Sequence, residues 1–256
     1  MKDARRLSRR SVRSERRLFL VDGPKAVEGA LGSHAVLHEV FVTAEAQERY
    51  ADLLAAIPTD VPVRLVEPRA MASLSDAVSP AGVVAVCGLL DVPLADVLDP
   101  APRLLALCAD IRDPGNAGTV VRCADAAGAD AVAFLGSAVD PHNPKTVRAS
   151  VGSLFHLPVA TAADAAAAVT ACRAAGLQVL AADGAGEVDL FAAEADGLLA
   201  APTAWLLGNE AWGLPPELAA LADHRVAIPI HGRAESLNLS TAAALCLYAS
   251  ARAHRS

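Results

Sequence analysis

From Leu104 onward, short apolar runs alternate with stretches of helical composition. This βαβ rhythm restricts the chain to a parallel sheet covered on both faces, an α/β architecture. Residues 104–109, 131–135, 157–160, 177–182, 205–207 and 226–230 read as strands. Helices are expected from the loop 110–118 through 127, near 144–153, and over 162–175, 215–221 and 238–253. Ahead of them lies a smaller α/β pattern, with strands at 18–21, 36–42, 63–66 and 83–86 and helices at 24–31 and 45–57. Between the two patterns, residues 89–103 carry three prolines and three aspartates, the composition of a connection. The expected organisation is a basic arm at 1–17, a small domain at 18–90, a linker at 91–102 and a larger domain at 103–256.

Composition narrows the class of protein. Hydrophobic residues make up 54% and charged residues 20% of 256, ample for buried cores. No apolar run approaches the roughly 20 residues of a membrane span, and the basic N-terminus lacks the apolar stretch of a signal peptide. The expected compartment is the cytoplasm. Five cysteines (Cys87, Cys108, Cys123, Cys172, Cys246) are scattered without a CxxC pair, which suits small buried hydrophobes in a reducing compartment. His34 and His38 have i,i+4 spacing but no third ligand nearby, so no metal is expected. The net charge of −7 argues against a nucleic-acid partner until its distribution is considered. Residues 1–17 hold eight Lys/Arg against Asp3 and Glu15, a local +6 that leaves −13 for the remainder. A basic segment on an acidic body fits local contact with phosphates, although a solvated tail has the same composition.

Ligands of parallel sheets bind in loops beyond the carboxyl ends of the strands. Three such loops hold more glycine and polar residues than a connection needs. They follow the strands expected to end at Ala109, Leu207 and Ile230. The first, DIRDPGNAGTVVR, places Asn116 as a candidate helix cap and Arg122 within the following helix. The second, LLGNEAWGLP, brings Gly208 and Glu210 to a strand end. The third, IPIHGRAESLNLS, brings Ser236 and Asn238 to the start of the last helix, where capping is their ordinary role.

In order and text, NAGTVVR, GNEAWGL and IPIHGRAESLNLSTAAAL resemble the three motifs of the SpoU/TrmH branch of the SPOUT methyltransferases, over about residues 103–254. Residues 17–87, beginning RLFLVDGPKAVEGAL, resemble the RNA substrate-binding domain attached to many of these enzymes, which is similar to small ribosomal proteins. The resemblance implies a C-terminal segment threaded through a deep trefoil knot, against the general rarity of knots. It also implies homodimers whose catalytic pocket is completed across the interface, and S-adenosyl-L-methionine (S-adenosylmethionine) held largely by backbone groups. Leu207, Gly208, Ile228, Ser236 and Leu237 match the cofactor-binding positions. Arg122 matches the arginine assigned to activate the ribose hydroxyl, and Asn116, Glu210, Ser236 and Asn238 match the other active-site positions. A free arginine stays protonated at neutral pH. That leaves Arg122 a second role, orienting the phosphate and stabilising developing charge while another group or water takes the proton.

The activity so implied is 2′-O-methylation of a ribose in structured RNA, with 23S ribosomal RNA favoured by the accessory domain and transfer RNA the alternative. Two further readings compete. LQVLAADGAGE at 177–187 resembles the glycine entry of a Rossmann methyltransferase, but Asp189 occupies the third glycine position. A non-catalytic RNA-binding protein would be favoured by loss of Arg122, Glu210 or Asn238, and all three are present.

Overall fold

The structure, a computed structural model, describes residues 1–255. Contacts divide the chain into two units. One comprises Met1–Leu90 and Asp140–His156, and the other comprises Asp91–Val139 and the chain from Leu157 onward.

The first unit is built on four strands, β1 (Leu18–Asp22), β2 (Leu37–Val42), β3 (Val63–Leu65) and β4 (Val83–Gly88), in the order β1-β4-β2-β3. β4 pairs antiparallel with both neighbours, and β2 and β3 run parallel. The segment 1–17, expected as a basic arm, is folded into this unit. It forms the helices Lys2–Arg5 and Arg10–Arg16 with a 3₁₀ turn between them. Ala4, Leu7 and Val12 pack with Leu20, Phe41 and Met71 in one core. Arg13 is buried and the other seven cations of the segment point outward.

The Asp140–His156 segment lies in the sequence of the larger domain but packs in the first unit. Asp22 Oδ2 accepts from Ser75 Oγ at 2.5 Å and from the Arg148 guanidinium at 2.9 Å. Gly29, in the helix Pro24–Leu31, approaches Gly152 so closely that a Cβ at Gly29 would lie 2.9 Å from the Gly152 carbonyl oxygen. Side chains at this crossing would force the helix away.

The second unit carries eight strands, β5 (Asp91–Val92), β6 (Leu104–Ala109), β7 (Ala131–Leu135), β8 (Val159–Ala162), β9 (Gln178–Ala182), β10 (Val188–Asp189), β11 (Thr203–Leu207) and β12 (His224–Ala227). All pair parallel, in the order β10-β12-β9-β11-β6-β7-β8-β5. β6 and β11 are buried at every position, as central strands covered on both faces must be. From β6 the chain advances to β7 and β8, then crosses to β9 and returns to insert β11 beside β6. The strand direction of travel therefore reverses between β6 and β11, the type of point where α/β sheets open a crevice beyond their strand ends. The expected linker contributes a strand, since β5 pairs with β8 and forms that edge of the sheet.

Local chemistry explains where the two long helices begin. Asp113 caps the helix Pro114–Ala127, accepting from the Asn116 amide at 2.8 Å, with Pro114 at the first helical position. Asn116 is therefore in the first turn and not at the cap, which leaves its side chain free of capping. Asn238 caps the helix Leu239–Ala253, accepting from the Ser240 amide at 2.9 Å. β12 ends at Ala227, before the expected Ile230, because Pro229 has no amide to continue a ladder.

Candidate active site

The loops after β9, β11 and β12 converge in the second unit on a cavity of about 520 Å³. Each of Leu207, Gly208, Ile228, Ser236 and Leu237 lines it, as do Glu210 and Asn238. Among the lining residues that the sequence reading of the site misses are Asp183, Gly184, Ile230 and Glu235. The signal for Asp183 and Gly184 is the GxG text at 184–186, which marks a real strand-end loop although the sheet order is not that of a Rossmann fold.

Glu210 organises the polar side of the site. Its Oε2 accepts from the Arg112 amide at 3.1 Å, and its Oε1 accepts from the Asp113 amide at 3.1 Å and from Asn116 Nδ2 at 3.2 Å. Asn116 Oδ1 in turn accepts from Asn238 Nδ2 at 3.0 Å. One hydrogen-bonded chain thus joins the loops after β6, β11 and β12. Partial burial pushes the Glu210 pKa up, but the amides of Arg112, Asp113 and Glu210 itself, with the Asn116 side chain, outweigh it and leave the pKa lowered. Glu210 is an anion seated at the start of a helix, where the backbone dipoles favour it.

Gly208 is required by the loop itself. A Cβ there would lie 2.5 Å from the Gly213 carbonyl carbon and 2.7 Å from the Leu214 amide nitrogen. The loop therefore folds back on its own backbone at this point, whereas sequence reasoning attributes the glycine to the approach of a ligand.

Arg122 stands apart from the other expected site residues. It is exposed on the helix Pro114–Ala127, does not line the cavity, and makes no hydrogen bond or ion pair among the described residues. The cysteines are buried except Cys123, which is partly exposed, and burial pushes the thiols of Cys87, Cys108 and Cys246 up to about 12. No group of three or more His, Cys, Asp or Glu among the described residues is placed to hold a metal. No helix among them is long and apolar enough to cross a membrane.

An all-parallel sheet whose strand-end loops after β9, β11 and β12 line a glycine-bearing cavity defines an α/β protein built to hold a cofactor-sized ligand. Residues 103–248 match the SpoU rRNA Methylase family, and residues 1–85 match the MRM3-like substrate binding domain. The 23S rRNA (guanosine(2553)-2′-O)-methyltransferase RlmP of Bacillus subtilis (strain 168) is 30% identical over 251 residues, covering 97% of this chain and 94% of that protein. The AdoMet-bound rRNA methyltransferase from Sinorhizobium meliloti has the same fold with a TM-score of 0.84 at 34% identity, covering 98% of this chain and 93% of that one. The SpoU methyltransferase AviRb from Streptomyces viridochromogenes, in complex with AdoMet, also reaches 0.84, at 30% identity over 98% of this chain and 96% of its own. The chain belongs to the SpoU rRNA Methylase family.

Proposed function

We propose that this methyltransferase transfers the methyl group of S-adenosylmethionine to a ribose 2′-hydroxyl of structured ribosomal RNA, with 23S rRNA the substrate. The observation that carries the reading is that two motif loops line one cavity and the third is hydrogen-bonded to both through Glu210, Asn116 and Asn238, in a chain of this family. The MRM3-like match at 1–85 favours ribosomal over transfer RNA. Tritium from methyl-labelled S-adenosylmethionine should appear in 23S rRNA taken from a strain lacking the gene, at a ribose that is methylated in the parent. Absence of label from all RNA would refute it.

The cavity suits S-adenosylmethionine. Its volume is within the roughly 300–1,000 Å³ of small-molecule sites, and Leu207, Ile228 and Leu237 give it apolar walls. Asp183 and Glu235 supply negative charge toward a cationic ligand. The cofactor supplies a methyl group on a sulfonium whose departing thioether is neutral, so the reaction needs no metal. Leu207, Gly208, Ile228, Ser236 and Leu237 would hold it. Asn116, Ser236 and Asn238 would orient the ribose, which supplies the positioning on which an in-line attack depends. Glu210 is a poor proton acceptor, because both its oxygens already accept N–H groups and its pKa is lowered. Its part is to fix the loops. Arg122 would bind the adjacent phosphate and stabilise charge developing on the oxygen. The deep knot that the family resemblance implies belongs to the same reading.

A homodimer accounts for the position of Arg122. Phe191, Leu245 and Tyr248 form an exposed apolar patch on the helices Leu190–Ala195 and Leu239–Ala253. Tyr248 Oη donates to the Ala126 carbonyl at 3.3 Å, so the patch adjoins the helix that carries Arg122. A second copy seated there would place the Arg122-bearing helices at the interface, and the family resemblance implies that each copy then completes its partner's pocket.

Two outcomes test the binding surfaces. Gly208→Val should weaken S-adenosylmethionine binding by at least tenfold in isothermal titration, because the loop must shift to relieve the clash with Gly213. A folded variant with normal affinity would show that the loop does not hold the cofactor. The exposed cations Arg5, Arg6, Arg9 and Arg10 should bind RNA phosphates. Deleting 1–17 would also remove Ala4, Leu7 and Val12 from a core, so the sound variant replaces these four arginines with glutamine. The slope of log affinity against log salt should become shallower by roughly 0.7–0.9 for each phosphate that is no longer neutralised. An unchanged slope would assign these arginines to solubility alone.

A further inference from the structure

Trp212 is 59% exposed, in the loop that follows β11, and it does not line the cavity that its neighbours Ala211 and Gly213 line. The loop beneath it is firmly tied. Asn209 and Gly213 exchange two backbone hydrogen bonds at 2.9 Å. Asn209 Oδ1 accepts from the Ala211 amide at 2.8 Å, and Asn209 Nδ2 donates to the Asp110 carbonyl at 2.7 Å. Trp205, the chain's other tryptophan, takes the usual course for so large an apolar group: it is fully buried, with Nε1 donating to Ser250 Oγ at 2.9 Å. Holding the second indole in water on a braced loop forgoes that gain. Arg112 is exposed close by, its amide donating to Glu210, the residue two before Trp212. A rigid aromatic face with an exposed arginine on the adjoining loop, next to a ribose-modifying cavity, is an arrangement suited to stacking an unpaired base while holding its phosphate.

We propose that Trp212 stacks on a base of the RNA at the mouth of the cavity and so fixes the approach of the target nucleotide, with Arg112 on the neighbouring phosphate. The inference rests on the RNA-methylation reading for its substrate class. A second copy of the chain is a less suitable occupant, because Ala211 and Gly213 extend no apolar face around the indole. The patch of Phe191, Leu245 and Tyr248 lies on other elements.

The two tryptophans make the test direct, since Trp205 is sealed and Trp212 is open to solvent. In the full-length protein, acrylamide should quench Trp212. A short single-stranded oligoadenylate should quench it as well, while inorganic polyphosphate should not, and Trp212→Phe should abolish the response. In turnover, Trp212→Ala should raise KM for 23S rRNA about 10- to 100-fold, the range of one base–aromatic stack at 1.4 kcal/mol per tenfold. It should change kcat far less and leave S-adenosylmethionine affinity unaltered, and Trp212→Phe should recover most of the KM. An unchanged KM in Trp212→Ala overturns the proposal. So does an indole already closed to acrylamide in the free protein, the result expected if a second copy covers it. Methylation of 23S rRNA without oligoadenylate quenching removes the stack and spares the function. Base-dependent quenching in a protein that methylates no RNA does the reverse.

Discussion

If Arg122 acts as proposed, replacing it with alanine should lower kcat for RNA methylation on the order of 10²–10³-fold or more, the cost of removing a charge that stabilises the reacting oxygen. Affinity for S-adenosylmethionine should stay within a few-fold, because Arg122 does not line the cavity. Isothermal titration and a single-turnover assay separate the two effects, and substantial residual turnover would remove Arg122 from the chemistry. Its exposure on the helix Pro114–Ala127 adds a sharper test. Arg122→Ala keeps an intact cavity, and Gly208→Val keeps an intact arginine. Mixing the two inactive variants and allowing subunits to exchange should restore part of the activity if the pocket is completed by a second copy. A mixture that stays inactive would place Arg122 in the pocket of its own chain.

The second large effect is on stability. Arg13 is 2% exposed, with Nε and Nη2 donating to Asp140 Oδ2 at 2.8 and 2.6 Å and Nη1 donating to the Leu7 and Ser8 carbonyls. Arg13→Ala should cost about 3–5 kcal/mol in urea denaturation, because it leaves the Asp140 carboxylate enclosed and unpaired. A loss below about 1 kcal/mol would reduce the pair to the worth of a surface ion pair. Burial opposes the Asp140 charge, but the hydrogen bond from His142 and the charge of Arg13 outweigh it and hold the carboxyl well below the usual carboxylate range. With the folded pKa below the unfolded value of about 3.9, the stabilisation is complete above that pH. It is lost as pH falls from there toward the folded pKa. The wild-type protein should therefore lose stability below about pH 4 more steeply than Arg13→Ala does.

The parts of the fold legible in sequence are those whose signal is local. β6 and β7 have the bounds read from their apolar runs, because strands covered on both faces need continuous hydrophobicity. The residues expected to hold the cofactor are brought to one cavity, since strand-end loops betray themselves by glycine and misplaced polar groups. What is illegible depends on partners far along the chain. Ala4, Leu7 and Val12 are sparse apolar positions in a highly charged segment, and their core neighbours Phe41 and Met71 lie well beyond any window. The two-residue strand β5 is defined by β8, from which it is separated by most of the sheet's first half. The misplaced cap at Asn116 has a local remedy, for Asp-Pro at 113–114 is the stronger helix-start signal.

The interrupted path of the first unit bears on how such proteins can be taken apart and recombined. Residues 1–90 expressed alone would lack Asp140, leaving Arg13 without its counter-ion, and Arg148, which pairs with Asp22. A recognition module transplanted to another methyltransferase must therefore travel as two pieces of chain, the first 90 residues and the Asp140–His156 insert, exchanged together.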